Sequence, residues 1–148
     1  MKRATASVIY WDTSAVLATL FRDEHSERAV PIARTDSVHL LSSLTWAETH
    51  AVIAQLERDR MLATTLTTAA REAFVDAHWR RVNLGPDWQM AESLAQAWSL
   101  RGAHLWHLAT AKALQADLPE LTFLSFDARL VAAAIGEGLR QPSGLRTH

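Results

Sequence analysis

The stretch Val8-Ile9-Tyr10-Trp11-Asp12-Thr13-Ser14-Ala15-Val16 decides the fold. Its first four residues form a β-branched and aromatic run suited to a buried strand, and the apolar segment from Ser14 to Phe21 suits a helix packed against the sheet. Asp12 stands at the junction. A carboxylate placed straight after a hydrophobic strand enters a poorly solvated position and needs a cation or hydrogen-bond donors nearby. The same kind of junction recurs at Glu48 in LTWAETHAV and at Asp127 in FLSFDARLV. In an open α/β sheet such acids collect at the carboxyl ends of the strands, where these folds place their ligands.

Outward from that stretch, strand-like and helical segments alternate. A polar helical stretch over 23–35 is interrupted by Pro31, and VHLLS at 38–42 reads as a second strand. Long helical patterns follow over 45–60 and 64–81, then a third strand over 81–85, closed by Gly85 and Pro86. Helical runs over 87–100 and 103–118 are joined by Arg101 and Gly102, and Pro119 ends the second. LTFLSF at 121–126 predicts a fourth strand, 128–139 a last helix, and LRQPS at 139–143 a short edge strand. There is no repeat, low-complexity tract or linker. The expectation is a single domain over 1–148, a three-layer α/β/α fold with a mostly parallel central sheet of four to five strands.

Composition sets outer limits. The chain has 148 residues, 49% hydrophobic and 21% charged, which suits a soluble globular domain able to bury a core. Fifteen Lys and Arg against sixteen Asp and Glu leave a net charge of −1, so any nucleic-acid binding has to come from local patches. The absence of cysteine excludes disulfides, a thiol nucleophile and cysteine-ligated zinc, and it suits a reducing cytoplasm. The opening MKRATASVIYWD carries two basic residues before an apolar run too short for a signal-peptide core or a membrane span.

Each acid also has a structural reading. Thr45 and Glu48 fit a capping box, and Asp12 and Asp127 can serve as plain N-caps. The coincidence of all three at strand–helix junctions carries more weight than any one of them.

The motifs in order resemble the PIN domain family, in particular the VapC-like ribonuclease toxins of toxin–antitoxin pairs, over nearly the whole chain. YWDTSAVL is similar to the family's opening strand and acid, with Ser14 two residues after Asp12, and TWAETHAVI to its second acid, Glu48. LRGAHLWHLATAKAL is similar to the segment that begins with a third acid and carries a histidine three residues later, here His107. TFLSFDARLVAAAIGEGL resembles the closing strand, fourth acid and last helix, with Ser125 before Asp127. At the third-acid position this chain has His104, a departure from the pattern.

The resemblance implies a metal-dependent endoribonuclease, with an RNA substrate, a cognate antitoxin and a homodimer. Divalent cations polarise phosphate and acidify water, and Mg²⁺ or Mn²⁺ take oxygen ligands, so clustered carboxylates suit them. Asp12 is the expected principal ligand, Asp127 shares the ligation, and Glu48 orients or deprotonates the attacking water. Ser14, Ser125 and His107 are supporting candidates. His104 lies one helical turn from His107 and is a candidate ligand, better suited to Mn²⁺ than to Mg²⁺. Arg22, Arg101, Lys112 and Arg129 are candidate RNA contacts, Lys112 lying two turns beyond His104. Trp11, Trp98 and Trp106 fall within apolar patterns and read as core or subunit interface. The alternatives are a non-catalytic module that lost its metal through His104 and now binds RNA or protein, and a receiver-like domain, which fits poorly because no lysine follows a late strand.

Overall fold

A computed structural model of the chain describes residues 7–145. The basic opening, Lys2 and Arg3, lies outside the described residues. The elements in order are β1 (Val8–Trp11), α1 (Thr13–Leu20), α2 (Ser26–Ala33), β2 (Val38–Ser42), α3 (Ser43–Arg58) and α4 (Thr64–Asp76). β3 (Arg80–Val82), α5 (Trp88–Ala97), α6 (Gly102–Asp117), β4 (Leu121–Leu124) and α7 (Ala128–Gly136) complete them. The four strands form one sheet in the order β3-β2-β1-β4, and every pairing is parallel.

Alternation along β1 builds the two cores. Val8 and Tyr10 face one side with Leu40, Leu108, Phe123 and Leu130, under α5, α6 and α7. Ile9 and Trp11 face the other with Val16, Ile32, Leu41, Phe74 and Leu124, under α1, α2 and α4. Trp11 and Tyr10 are wholly buried. Truncating such a side chain to alanine costs about 3–5 kcal/mol.

Register fixes the edge that matters. Trp11 lies opposite Leu41 on one side and Leu124 on the other, so the residues that follow all three strands emerge together. The Asp12 N–H still bonds the Leu124 carbonyl at 3.1 Å, which ties the first junction to the last. The three-layer expectation holds, with four strands.

Several boundaries differ from the sequence reading. Helix α3 begins at Ser43, and the Ser42 hydroxyl caps it by accepting from the Thr45 N–H at 3.1 Å. Glu48 therefore sits in the second turn, and the Thr45–Glu48 capping box does not form. β3 starts at Arg80 and ends at Val82, before the Gly85-Pro86 punctuation. The expected edge strand over 139–143 reduces to one bridge, Thr122 with Arg140. Pro31 is accommodated within the last turn of α2. Trp98 packs beside the first core and Trp106 is half-buried, whereas Trp88 is exposed.

Candidate active site

Asp12 leaves β1 already buried, with 1% of its surface exposed. Its Oδ1 accepts from the Ala15 N–H at 2.9 Å and from the Ser14 hydroxyl at 2.8 Å, so the N-cap reading is correct as far as it goes. Burial nevertheless pushes its carboxyl above the ordinary aspartate range, against the pull of Ser125, the Ala15 N–H, Ser14 and nearby His107. Among the described residues no lysine or arginine pairs with it. Capping alone does not account for a carboxylate kept this dry.

Glu48 reaches the same edge from α3. Its Oε1 accepts from the Thr13 hydroxyl at 2.6 Å, and Thr13 follows Asp12 directly. The His107 Nε2 lies 3.6 Å from the same oxygen. His107 holds the Glu48 carboxyl below the ordinary range, overcoming partial burial, and Thr13 and His104 add to the effect. Glu48 is thus a fixed negative charge at neutral pH.

His107 is buried between two partners. Its Nδ1 lies 2.7 Å from the Tyr10 hydroxyl, and its Nε2 has no hydrogen-bond partner among the described residues. Burial raises the Tyr10 phenol well above its usual range, so the hydroxyl stays protonated. If the Tyr10 hydroxyl donates to Nδ1, the Nε2 atom is left to face Glu48 as a donor.

Asp127 caps α7, its Oδ1 accepting from the Leu130 N–H at 2.9 Å. The His104 Nδ1 lies 3.8 Å from that oxygen, so the imidazole and this acid are brought together. The Ser125 hydroxyl accepts from the Asp127 N–H, and the Phe126 N–H donates to Ser14, which in turn donates to Asp12. The first and last junctions are therefore one hydrogen-bonded unit.

Arg101 and Arg129 line a cleft of about 370 Å³ with His104 and Asp127. The other two candidate cations lie elsewhere. Arg22 borders an apolar groove between α1 and α4, and the Lys112 ammonium is spent on the Glu137 carbonyl at 2.7 Å and on Gln115. Tyr10 and Thr13 belong to the site and were not singled out from sequence. The hydroxyl immediately after Asp12 was the available signal for Thr13, whereas Tyr10 looked only like core.

Among the described residues no three carboxylate or imidazole groups stand together as a ready metal cage. The donor chemistry still fits a hard cation. Asp12 is a buried carboxylate with no lysine or arginine partner among the described residues, with Glu48 tied to the neighbouring Thr13 and Asp127 across the Ser14–Phe126 link. Mg²⁺ in particular is held by one or two carboxylates, with water and substrate oxygens completing its shell.

A parallel sheet whose carboxyl edge gathers acids from three strand–helix junctions defines a doubly wound α/β domain with an acidic edge site. The PIN domain model matches residues 9–136, and the chain belongs to that family. Among solved structures it is similar to Mycobacterium tuberculosis VapC20, a sarcin-ricin loop cleaving toxin. That match has a TM-score of 0.52 and 21% identity, and it covers 84% of this chain and 94% of that one. No curated protein matches the chain.

Proposed function

We propose that this protein is a Mg²⁺- or Mn²⁺-dependent endoribonuclease and the toxin half of a toxin–antitoxin pair. The observation that carries the reading is Asp12, a carboxylate 1% exposed at the end of the central strand that pairs with no lysine or arginine among the described residues. Buried charges are paired or bind metals. Membership of the PIN family and the fold shared with a toxin that cleaves the sarcin-ricin loop support RNA as the substrate.

Asp12 and Asp127 would hold the cation, with His104 as a further candidate ligand. The ion would supply polarisation of a phosphoryl oxygen and a more acidic water. Glu48, held by Thr13, orients the attacking water. Its lowered pKa makes it a weak base, so positioning is its stronger contribution. The Tyr10–His107 pair fixes the groups beneath Glu48. Arg101 and Arg129 take up phosphate charge along the cleft. A cognate antitoxin, a homodimer and a cytoplasmic location complete the reading. No described helix is long and apolar enough to cross a membrane.

Two observations favour the second reading, a non-catalytic PIN module. His104 replaces an acid, and the described residues form no three-group cage. Calorimetric titration with Mg²⁺ and Mn²⁺, alongside an RNA cleavage assay in each ion, separates the two. The enzyme binds at least one ion and cleaves in it, and the degenerate module does neither.

A further inference from the structure

Next to the acids lies a platform that the mechanism above does not use. The start of α2 presents His25, its N-cap residue, and Arg28 three positions on, and across the fold they meet Phe126, the residue between Ser125 and Asp127. The His25 and Phe126 rings stack at 4.7 Å between centroids with 3° between planes. The Arg28 guanidinium lies 4.9 Å from the Phe126 centroid, and its Nη2 is 2.9 Å from the His25 Nδ1. Glu24 engages the other His25 nitrogen at 3.3 Å, but among the described residues Arg28 pairs with no carboxylate. A guanidinium has five N–H donors, so most of this one's capacity is uncommitted.

Its placement gives that capacity a direction. Arg28 lines a cleft of about 260 Å³ with Ser125, Phe126, Gln141 and Leu145. Ala128 borders both this cleft and the one holding Arg101, Arg129 and His104. The Asp127 junction therefore separates two clefts, each carrying arginine. The platform is tied to the acids, since the Phe126 N–H bonds Ser14 and Ser14 bonds Asp12. Arginines on both sides of the acidic edge would neutralise phosphates of a polyanion lying across it.

We propose that Arg28, held in place by Phe126 and His25, binds the phosphate of a nucleotide flanking the cleaved bond. The cleft beside it takes that nucleotide's base, with the Gln141 amide available to its polar edge. This rests on the ribonuclease reading; a base enters such a cleft only when unstacked and unpaired.

The test is fluorescence anisotropy with a labelled single-stranded RNA oligonucleotide, using the full chain carrying Asp12→Asn to suppress cleavage. Arg28→Gln should weaken binding about tenfold, as the loss of one charge-assisted contact does, and should lower the steepness of log K against log salt by about 0.7. Arg28→Lys should keep the salt slope while losing part of the affinity. Phe126→Leu should behave likewise by unseating the guanidinium. Arg58→Gln, at the far end of α3, removes the same charge and should change nothing. Unchanged affinity and slope in Arg28→Gln overturns the proposal. So does an equal loss in Arg58→Gln, or failure of the parent protein to bind the RNA. The wild type's cleavage in Mg²⁺ or Mn²⁺ is scored separately. Its absence removes the ribonuclease reading, while the binding series still decides Arg28.

Discussion

Replacing Asp12 by asparagine should make the metal-free protein more stable. The side chains are nearly equal in volume, and the amide oxygen can accept the same two bonds, from Ser14 at 2.8 Å and the Ala15 N–H at 2.9 Å. The new NH₂ can donate to the Ser125 hydroxyl. What disappears is a buried acid whose ionisation burial opposes, at a desolvation cost of several kcal/mol for a bare charge. The two charge-assisted bonds at Oδ1 offset much of that and weaken when the acceptor is neutral. The remainder is a gain of about 1–2 kcal/mol at neutral pH, which for a chain of this length raises Tm by about 2–8 °C. Because folding raises the Asp12 pKa, the wild type is penalised above the folded pKa and recovers as pH falls through it. The gap between the two proteins should therefore close in acid. Melting followed by circular dichroism in EDTA, at pH 7.5 and at pH 4.5, measures both effects. Adding Mg²⁺ or Mn²⁺ should raise the wild-type Tm and leave Asp12→Asn unmoved. A variant that melts below wild type in EDTA would refute the reasoning, since Asp12 would then be a cap and nothing more.

Glu48→Gln should leave Tm within about 2 °C, because Ser42 and not Glu48 caps α3, while cleavage falls about a hundredfold or more. His104→Asp should place two carboxylates near each other, lowering the metal-free Tm and raising affinity for Mg²⁺ by calorimetry; equal metal affinity in the two proteins would place residue 104 outside the site. Gly136→Ala should lose about 1–3 kcal/mol in urea unfolding, since a Cβ there would collide with the Trp98 ring.

The first and last junctions were legible because a short apolar run leads into each acid, Asp12 directly after β1 and Asp127 three residues after β4, which ends at Leu124 and not at the expected Phe126. β1 and β4 pair directly, so Asp12 and Asp127 had to emerge together. The start of α3 was misplaced because Ser42 both ends β2 and caps the helix, and periodicity alone does not divide those roles. Lys112 shows the limit of helical spacing, which placed it on the His104 side of α6. The tertiary fold brings the end of α7 to it, and the Glu137 carbonyl takes its charge. The platform of His25, Arg28 and Phe126 joins residues about a hundred positions apart, and no local pattern announces a stack across that distance.

The central claim is that the Asp12 edge is a metal-dependent nuclease site, and one measurement bears on it most directly. Purified wild type and Asp12→Asn, both shown to be folded, are incubated with a single-stranded RNA in Mg²⁺, in Mn²⁺ and in EDTA, and the products are resolved on a denaturing gel. The wild type should cleave in at least one metal and not in EDTA, and Asp12→Asn should not cleave in any condition. Cleavage that persists in EDTA or in Asp12→Asn, or a wild type inert in both ions, would contradict the account.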